Sequence, residues 1–162
     1  MSGIESRLRM KKTLANAADL QEILERLNAI SADSQRRWGR MTVAEMICHL
    51  NDAFRVAMSE KSARPVSNVF SRSVMKWVAL NMPMKWPHGV QTVEECAAGK
   101  GGTPPAALEK DLDELREHLK RFSSAPRDFT FAEHAIFGRM SSEQWLRWGY
   151  LHADHHLRQF GA

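Results

Sequence analysis

The segment Tyr150-Leu-His-Ala-Asp-His-His-Leu-Arg-Gln-Phe160 places three histidines within five residues of a stretch with helical character. An α-helix turns about 100° per residue, so His152 and His156 project from one face, about 40° apart. That face is the inward one, because it also carries Trp145, Trp148, Gly149 and Gln159. Two imidazoles that lie one turn apart and point into a core indicate one of two arrangements. Either they chelate a metal ion, or they are polar side chains buried unfavourably.

Periodic apolar residues predict further helices on the N-terminal side of this segment. Helical spacing predicts one over residues 17–30. Thr42 and Glu45 form a capping-box pattern that opens a second helix, which we expect to reach residue 58 or 60. Residues 68–81 are apolar on several faces, including Val74, Trp77 and Leu80, and predict a shorter, buried helix.

The C-terminal third adds two more helices. Thr103 followed by Pro104 predicts an N-cap and first helical position for a helix whose apolar seam runs through residues 108–122. His118 lies off that seam, and we expect it to be exposed. Ser141 begins the last helix. Residues 84–103, rich in proline and glycine, form a connection long enough to be functional or disordered.

Strand patterns are negligible, so the fold class is all-α: a four-helix bundle with one additional short helix and a long loop. Residues 1–12 predict a flexible N-terminus and residues 13–162 a single domain. No apolar run of about 18 residues is present, and the N-terminus lacks a secretory h-region, so we expect a soluble, cytoplasmic protein without membrane contact.

Charge and cysteine usage limit the function classes. The net charge of +4 comes from basic residues interleaved with acids, without a basic stripe or stacking aromatics, so no nucleic-acid partner is expected. Cys48 and Cys96 are far apart and form no CxxC pair, which argues against a disulfide framework or a thiolate metal site.

His49 is a third inward histidine, on the face of the second helix that Met46, Ala53 and Val56 mark as buried. A lone histidine on an apolar face is more often a satisfied core residue. Three close imidazoles, however, leave several groups without partners at roughly 1–3 kcal/mol each, and a divalent ion removes that cost. We therefore predict a metal site formed by His49, His152 and His156.

This ligand set suits zinc or nickel, and iron(II) or copper are also compatible. Three protein ligands leave a coordination position open, which is typical of catalytic sites.

Five further residues are candidates for the surroundings of the ion. Asp52, one turn after His49, is a candidate acceptor for a ligand N–H, and Glu45 is another beside its capping role. His155 lies about 60° off the inward stripe and is a candidate to orient a neighbour. His134 lies in a loop on the open side, and Trp86 is a candidate pocket wall.

The histidine on the second helix and the final His-x-x-His-His with Arg-Gln resemble the DinB-like superfamily of metal-binding four-helix bundles. Trp38-Gly-Arg-Met-Thr42 and Phe137-Gly-Arg-Met-Ser141, with the segment 152–161, look like one branch of unassigned function. The resemblance implies crossover connections, frequent dimers and metal ligands at His49, His152 and His156. Some relatives use such a metal to activate the thiolate of a low-molecular-weight thiol.

Three hypotheses follow. The first is a metal-dependent enzyme, either a thiol-dependent transferase or a hydrolase, acting on a small molecule, with residues 84–103 covering the open position. The second is a non-catalytic metal-binding or stress-response bundle protein. The third is a helical interaction protein without a metal.

Overall fold

The chain is described here by a computed structural model that covers residues 11–66 and 69–162. Across those ranges it contains five α-helices and no β-strand, which confirms the all-α prediction. The helices are α1 (Ala17–Asn28), α2 (Val43–Ala57), α3 (Val69–Asn81), α4 (Leu108–Ser123) and α5 (Ser142–Gln159), with a 3₁₀ turn at Glu94–Cys96 between α3 and α4.

None of the helices in the described part of the chain combines the length and apolarity needed to cross a membrane. Most of the predicted flexible N-terminus, residues 1–10, lies outside the described residues. Lys12, which is described, pairs with Glu22 of α1.

Capping boxes open α2 and α5, as the sequence predicts. The Thr42 hydroxyl accepts from the Glu45 N–H at 3.2 Å, and the Glu45 carboxylate accepts from the Thr42 N–H at 2.7 Å. Ser141 and Gln144 make the same reciprocal pair at 3.2 and 3.0 Å. At the start of each of these two helices, two backbone N–H groups that would otherwise be unpaired are thereby satisfied.

The predicted start of α4 at Thr103 is wrong. The helix begins at Leu108, and its N-cap, Ala107, makes no side-chain capping bond. The Thr103 N–H and hydroxyl donate instead to the two carboxylate oxygens of Asp52, at 2.6 and 2.7 Å. Because Thr103 bonds to α2, its hydroxyl does not cap the helix that follows.

Helices α1, α2, α4 and α5 form the bundle. Helices α1 and α2 each pack against both α4 and α5. The core leaves no room for a side chain at Gly149, where an added Cβ would lie 2.8 Å from Leu14 Cδ1, 2.8 Å from Phe122 Cε1 and 3.4 Å from Phe54 Cε1. α5 therefore approaches its neighbours closely one residue before the segment that carries the histidines.

Helix α3 forms where predicted, but the prediction that it is buried is wrong. Val74 is 63% exposed and Trp77 59% exposed, whereas Leu80 is 3% exposed. The helix packs against α5 at the edge of the bundle, so one side meets protein while the rest faces outward. A helix with apolar residues on several faces is therefore not necessarily buried on every face.

Candidate metal centre

Helices α2 and α5 bring His49, His152 and His156 together, as the sequence predicts. One nitrogen from each of the three imidazoles lies within 4.8 Å of the other two. His49 Nε2 and His152 Nε2 are 3.0 Å apart. His49 and His156 are buried and His152 is partly buried. Four-residue spacing on α5 supplies two of the rings, and the neighbouring helix supplies the third.

A backbone carbonyl orients the His49 ring. His49 Nδ1 lies 3.1 Å from the carbonyl oxygen of Cys96. A carbonyl only accepts, so Nδ1 carries the proton and donates, and Nε2 keeps its lone pair. Cys96 ends the 3₁₀ turn of the long connection, and that turn packs on α2. The connection therefore fixes the tautomer of a candidate ligand on a helix.

Gln159 orients the His156 ring in the same way. Its side-chain NH₂ donates to the Trp38 carbonyl at 2.9 Å, so its Oε1 faces His156 Nδ1, at 2.9 Å. His156 Nδ1 must therefore donate, and its Nε2 is left with a lone pair. Two of the three imidazoles thus present unprotonated Nε2 atoms.

His152 completes the cluster and leaves one polar atom unsatisfied. Its Nδ1 is buried and has no hydrogen-bond partner among the described residues. Its ring lies 4.7 Å from the Trp148 ring and 6.1 Å from the Trp86 ring, measured between centroids. An ion at Nε2, the nitrogen that faces His49, would leave this Nδ1 unpaired, so the case for a metal rests on the convergence of the three rings.

Burial keeps the three imidazoles neutral. It is the largest cause of the lowered pKa of His152, followed by the nearby His156 and His49. Burial and then His49 lower the pKa of His156, although its Gln159 bond opposes the shift. For His49, burial outweighs the opposing effects of the Cys96 carbonyl and Asp52, and the pKa is again lowered. Neutral imidazole is the form that ligates a metal.

The donor set fits a divalent transition-metal ion. Tetrahedral zinc with Zn–N distances near 2.0–2.1 Å places two ligand nitrogens roughly 3.3 Å apart, and the His49–His152 pair is already near that separation. Imidazole also suits nickel, copper and iron(II). The two Nδ1–H groups held by protein acceptors match the pattern in which metal-bound histidines donate their other nitrogen.

Asp52 and Glu45 do not contact the cluster as the sequence suggested. Asp52 is fully buried, but its carboxylate binds Thr103, Arg55 and Lys61 rather than a ligand N–H. The Cys96 carbonyl takes that position on His49. Glu45 is confirmed only in its capping role, which uses the carboxylate at the start of α2.

His155, His134 and Trp86 line a cavity beside the cluster. The ring of His155 lies 5.1 Å from that of His156, and burial followed by Arg158 lowers its pKa to about 4. His134 Nδ1 accepts from two backbone N–H groups, and burial lowers its pKa to about 4. Trp86 Nε1 donates to the Ala79 carbonyl on α3 at 2.9 Å, which fixes the indole as a wall.

The predicted exposure of His118 is wrong. Its Nδ1 lies 2.8 Å from the side-chain oxygen of Asn51, and the residue is half-buried between α2 and α4. Burial, and then Arg55, lower its pKa. It lies apart from the metal cluster and its cavity.

The cavity measures about 440 Å³ and reaches all three histidines of the cluster. Helix α3, the long connection and residues 134–137 supply much of its wall. A cavity of this size is in the range that small-molecule sites occupy.

Two contacts that orient the candidate ligands are not predicted by the sequence. Gln159 was placed on the inward face, and its position three residues after His156 was a usable signal for a ring-orienting side chain. The Cys96 contact is made by a backbone carbonyl in a connection, so no side-chain pattern could have revealed it.

The chain matches the family described as Protein of unknown function (DUF1569) over residues 10–162. No curated protein and no solved structure matches the chain. The family match spans nearly the whole sequence, and the chain therefore belongs to DUF1569.

Proposed function

We propose that this DUF1569 protein is a metal-dependent enzyme of the DinB-like superfamily, with one divalent ion held by His49, His152 and His156. Zinc or nickel is the proposed ion. When bound, such an ion lowers the pKa of a coordinated thiol or water and supplies a nucleophile near neutral pH. The proposed reaction is transfer of a thiol to a small molecule, or hydrolysis of one, and the resemblance favours transfer.

One observation carries this proposal: the cavity reaches the same three imidazoles that form the cluster. A structural site closes its coordination shell with a fourth protein ligand. In the described residues, His49, His152 and His156 make up the group, with no fourth histidine, cysteine or carboxylate. Three protein ligands beside a cavity support the proposal that a substrate binds at the open position of the ion.

The chain's own residues would position the reactants and limit water. Cys96 and Gln159 hold the rings of His49 and His156 so that their Nε2 lone pairs converge. The indoles of Trp86 and Trp148 lie against His152 and shield it from solvent. Neutral imidazoles surrounded by aromatic side chains form a site of low polarity, which strengthens electrostatic interactions within it.

Metal analysis of the purified protein tests the ligand assignment. We expect about one divalent ion per chain, and we expect His152→Ala to lose it, because two imidazoles chelate more weakly than three. His155→Ala is the matched control, since it removes a neighbouring histidine of the same helix that is outside the cluster. Full occupancy in His152→Ala would show that the ligands are assigned wrongly.

Cobalt(II) spectroscopy separates the enzyme from the alternative, a non-catalytic metal-binding or stress-response bundle. We expect the visible spectrum of cobalt-substituted protein to change when a small thiol or azide is added, because an open position exchanges its ligand. A visible spectrum that is unchanged by both the thiol and azide would favour the non-catalytic alternative.

A further inference from the structure

The cavity beside the cluster has an apolar wall. Helix α3 contributes Val74, Met75 and Val78, and the long connection contributes Met84 and Val90. Phe137 and Trp148 lie among the other lining residues. The three imidazoles form the main polar group within these surroundings. A ligand therefore meets hydrocarbon along most of its length and nitrogen donors at one end.

The wall offers almost no charge. Of the described residues that line the cavity, Lys85 alone carries a formal charge at neutral pH, and it is exposed. His134 and His155 also line the wall, and His134 Nδ1 accepts from two backbone N–H groups, which requires an unprotonated nitrogen. A ligand with several carboxylates or ammonium groups would lose its hydration here without gaining partners.

From this wall we infer the substrate class of the site: an uncharged, largely apolar small molecule that carries one donor group, such as a thiol or hydroxyl, at the end facing the histidines. This inference rests on the proposed function and narrows it. A thiol such as glutathione, with two carboxylates and an ammonium group, does not suit the described wall. An alkyl or aryl thiol or alcohol does.

Binding to the metal-free protein tests the inference without any activity assay. The probe is N-phenyl-1-naphthylamine, a neutral fluorophore whose emission rises in apolar surroundings. Straight-chain alcohols of four, six and eight carbons then compete for it. We expect the displacing concentration to fall roughly fourfold for each added methylene. Carboxylates of equal length and glutathione should displace the probe at least tenfold less well.

Two variants locate the binding site. Val78→Asp places a charge in the wall at a position that is 39% exposed and tolerant of a polar side chain. We expect it to weaken probe binding at least tenfold. Val66→Asp is the matched control, because Val66 is 59% exposed and does not line the cavity. Should Val78→Asp fail to fold, the alcohol and carboxylate series decides alone.

Three results would overturn the inference: no dependence on chain length, displacement by glutathione as effective as by octanol, or equal losses in both variants. Metal content, measured on a portion of the same purified batch before the ion is removed, separates the two claims. Protein that binds the ion but not the apolar series refutes the substrate class alone. Protein that binds the apolar series but no ion refutes the proposed metal enzyme alone.

Discussion

At the scale of single residues, the candidate ligands depend on neighbours that are not ligands themselves. Gln159 fixes the His156 tautomer because its own orientation is set by the Trp38 carbonyl. Such partners keep the ring aligned and raise its basicity, so their loss weakens metal binding even though every ligand remains.

Gln159→Met tests this dependence. The substitution keeps the volume of a buried side chain and removes the acceptor for His156 Nδ1. We expect metal affinity, measured by competition with a chromophoric chelator, to fall about 10–100-fold. Gln159→Glu retains an acceptor oxygen for His156 Nδ1 but loses the donor to the Trp38 carbonyl, so its affinity should lie between those of Gln159→Met and the wild type. Equal affinity in the wild type and Gln159→Met would mean that Gln159 does not support the site.

Asp52 has a structural role that pH can reveal. Burial opposes its ionisation, but the Thr103 bonds and Lys61 outweigh burial and hold its pKa below the usual value. A carboxyl whose pKa is lowered on folding stabilises the native state above its unfolded pKa, near 3.8, and loses that effect as pH falls through the folded pKa.

We therefore expect Asp52→Asn to lower the free energy of unfolding by about 2–3 kcal/mol at pH 7. The difference from wild type should shrink as pH is lowered from 5 towards 2, in urea titrations at each pH. Asp33→Asn, in the exposed connection before α2, should change stability by less than about 0.5 kcal/mol. If the difference in free energy of unfolding between the wild type and Asp52→Asn stays constant with pH, the ionised carboxylate of Asp52 is not its source.

Helix geometry alone fixes the side-chain directions that bring the three histidines together. Positions 152 and 156 share a face at any packing arrangement, and His49 lies on an apolar stripe, so their convergence was predictable. Two partners of Asp52, Lys61 and Thr103, were not predictable, because they reach it from segments outside α2. Tertiary contacts from irregular segments leave no periodic signal.

At the scale of elements, the two helices that carry the cluster are the two that begin with capping boxes. Both helix starts were predictable from the sequence, because the donor and acceptor of a capping box are only three residues apart. The start of α4 could not be predicted from local sequence, because Thr103 bonds to Asp52 on another helix. The exposure of α3 could not be predicted either, because it depends on which other parts of the chain pack against that helix.

Removing each cap hydroxyl tests the contribution of these starts. Thr42→Ala and Ser141→Ala should each lower the free energy of unfolding by about 1 kcal/mol, since the N3 backbone N–H loses its acceptor. Chemical denaturation measures the loss. Replacement of either residue by Asp, another good N-cap, should restore most of it. Failure of Asp to restore stability would indicate that the alanine effect has another origin.

At the scale of the whole molecule, the cluster lies across two packed helices. His49 belongs to α2, while His152 and His156 belong to α5. An ion held by all three would bind the folded chain and not the unfolded one, because the two helices are far apart in sequence. Metal binding should therefore add directly to the stability of the bundle.

Chelation should lower the melting temperature. An ion present at 100 times its dissociation constant adds about 2.7 kcal/mol, and a chain of this size shifts by about 2–4 °C per kcal/mol. We expect added chelator to lower the midpoint by about 5–10 °C in calorimetry. His152→Ala should melt at the same temperature with and without chelator. A wild-type midpoint that chelator leaves unchanged would argue that the purified chain carries no ion.

The carbonyl of Cys96 has a consequence for how this family can diversify. The segment that walls the cavity also supplies the acceptor for His49. Replacing that segment by the one from another family member would change the cavity wall and the acceptor for His49 Nδ1 in one step. The shape of the cavity and the tautomer of His49 are thus coupled through one segment of the chain.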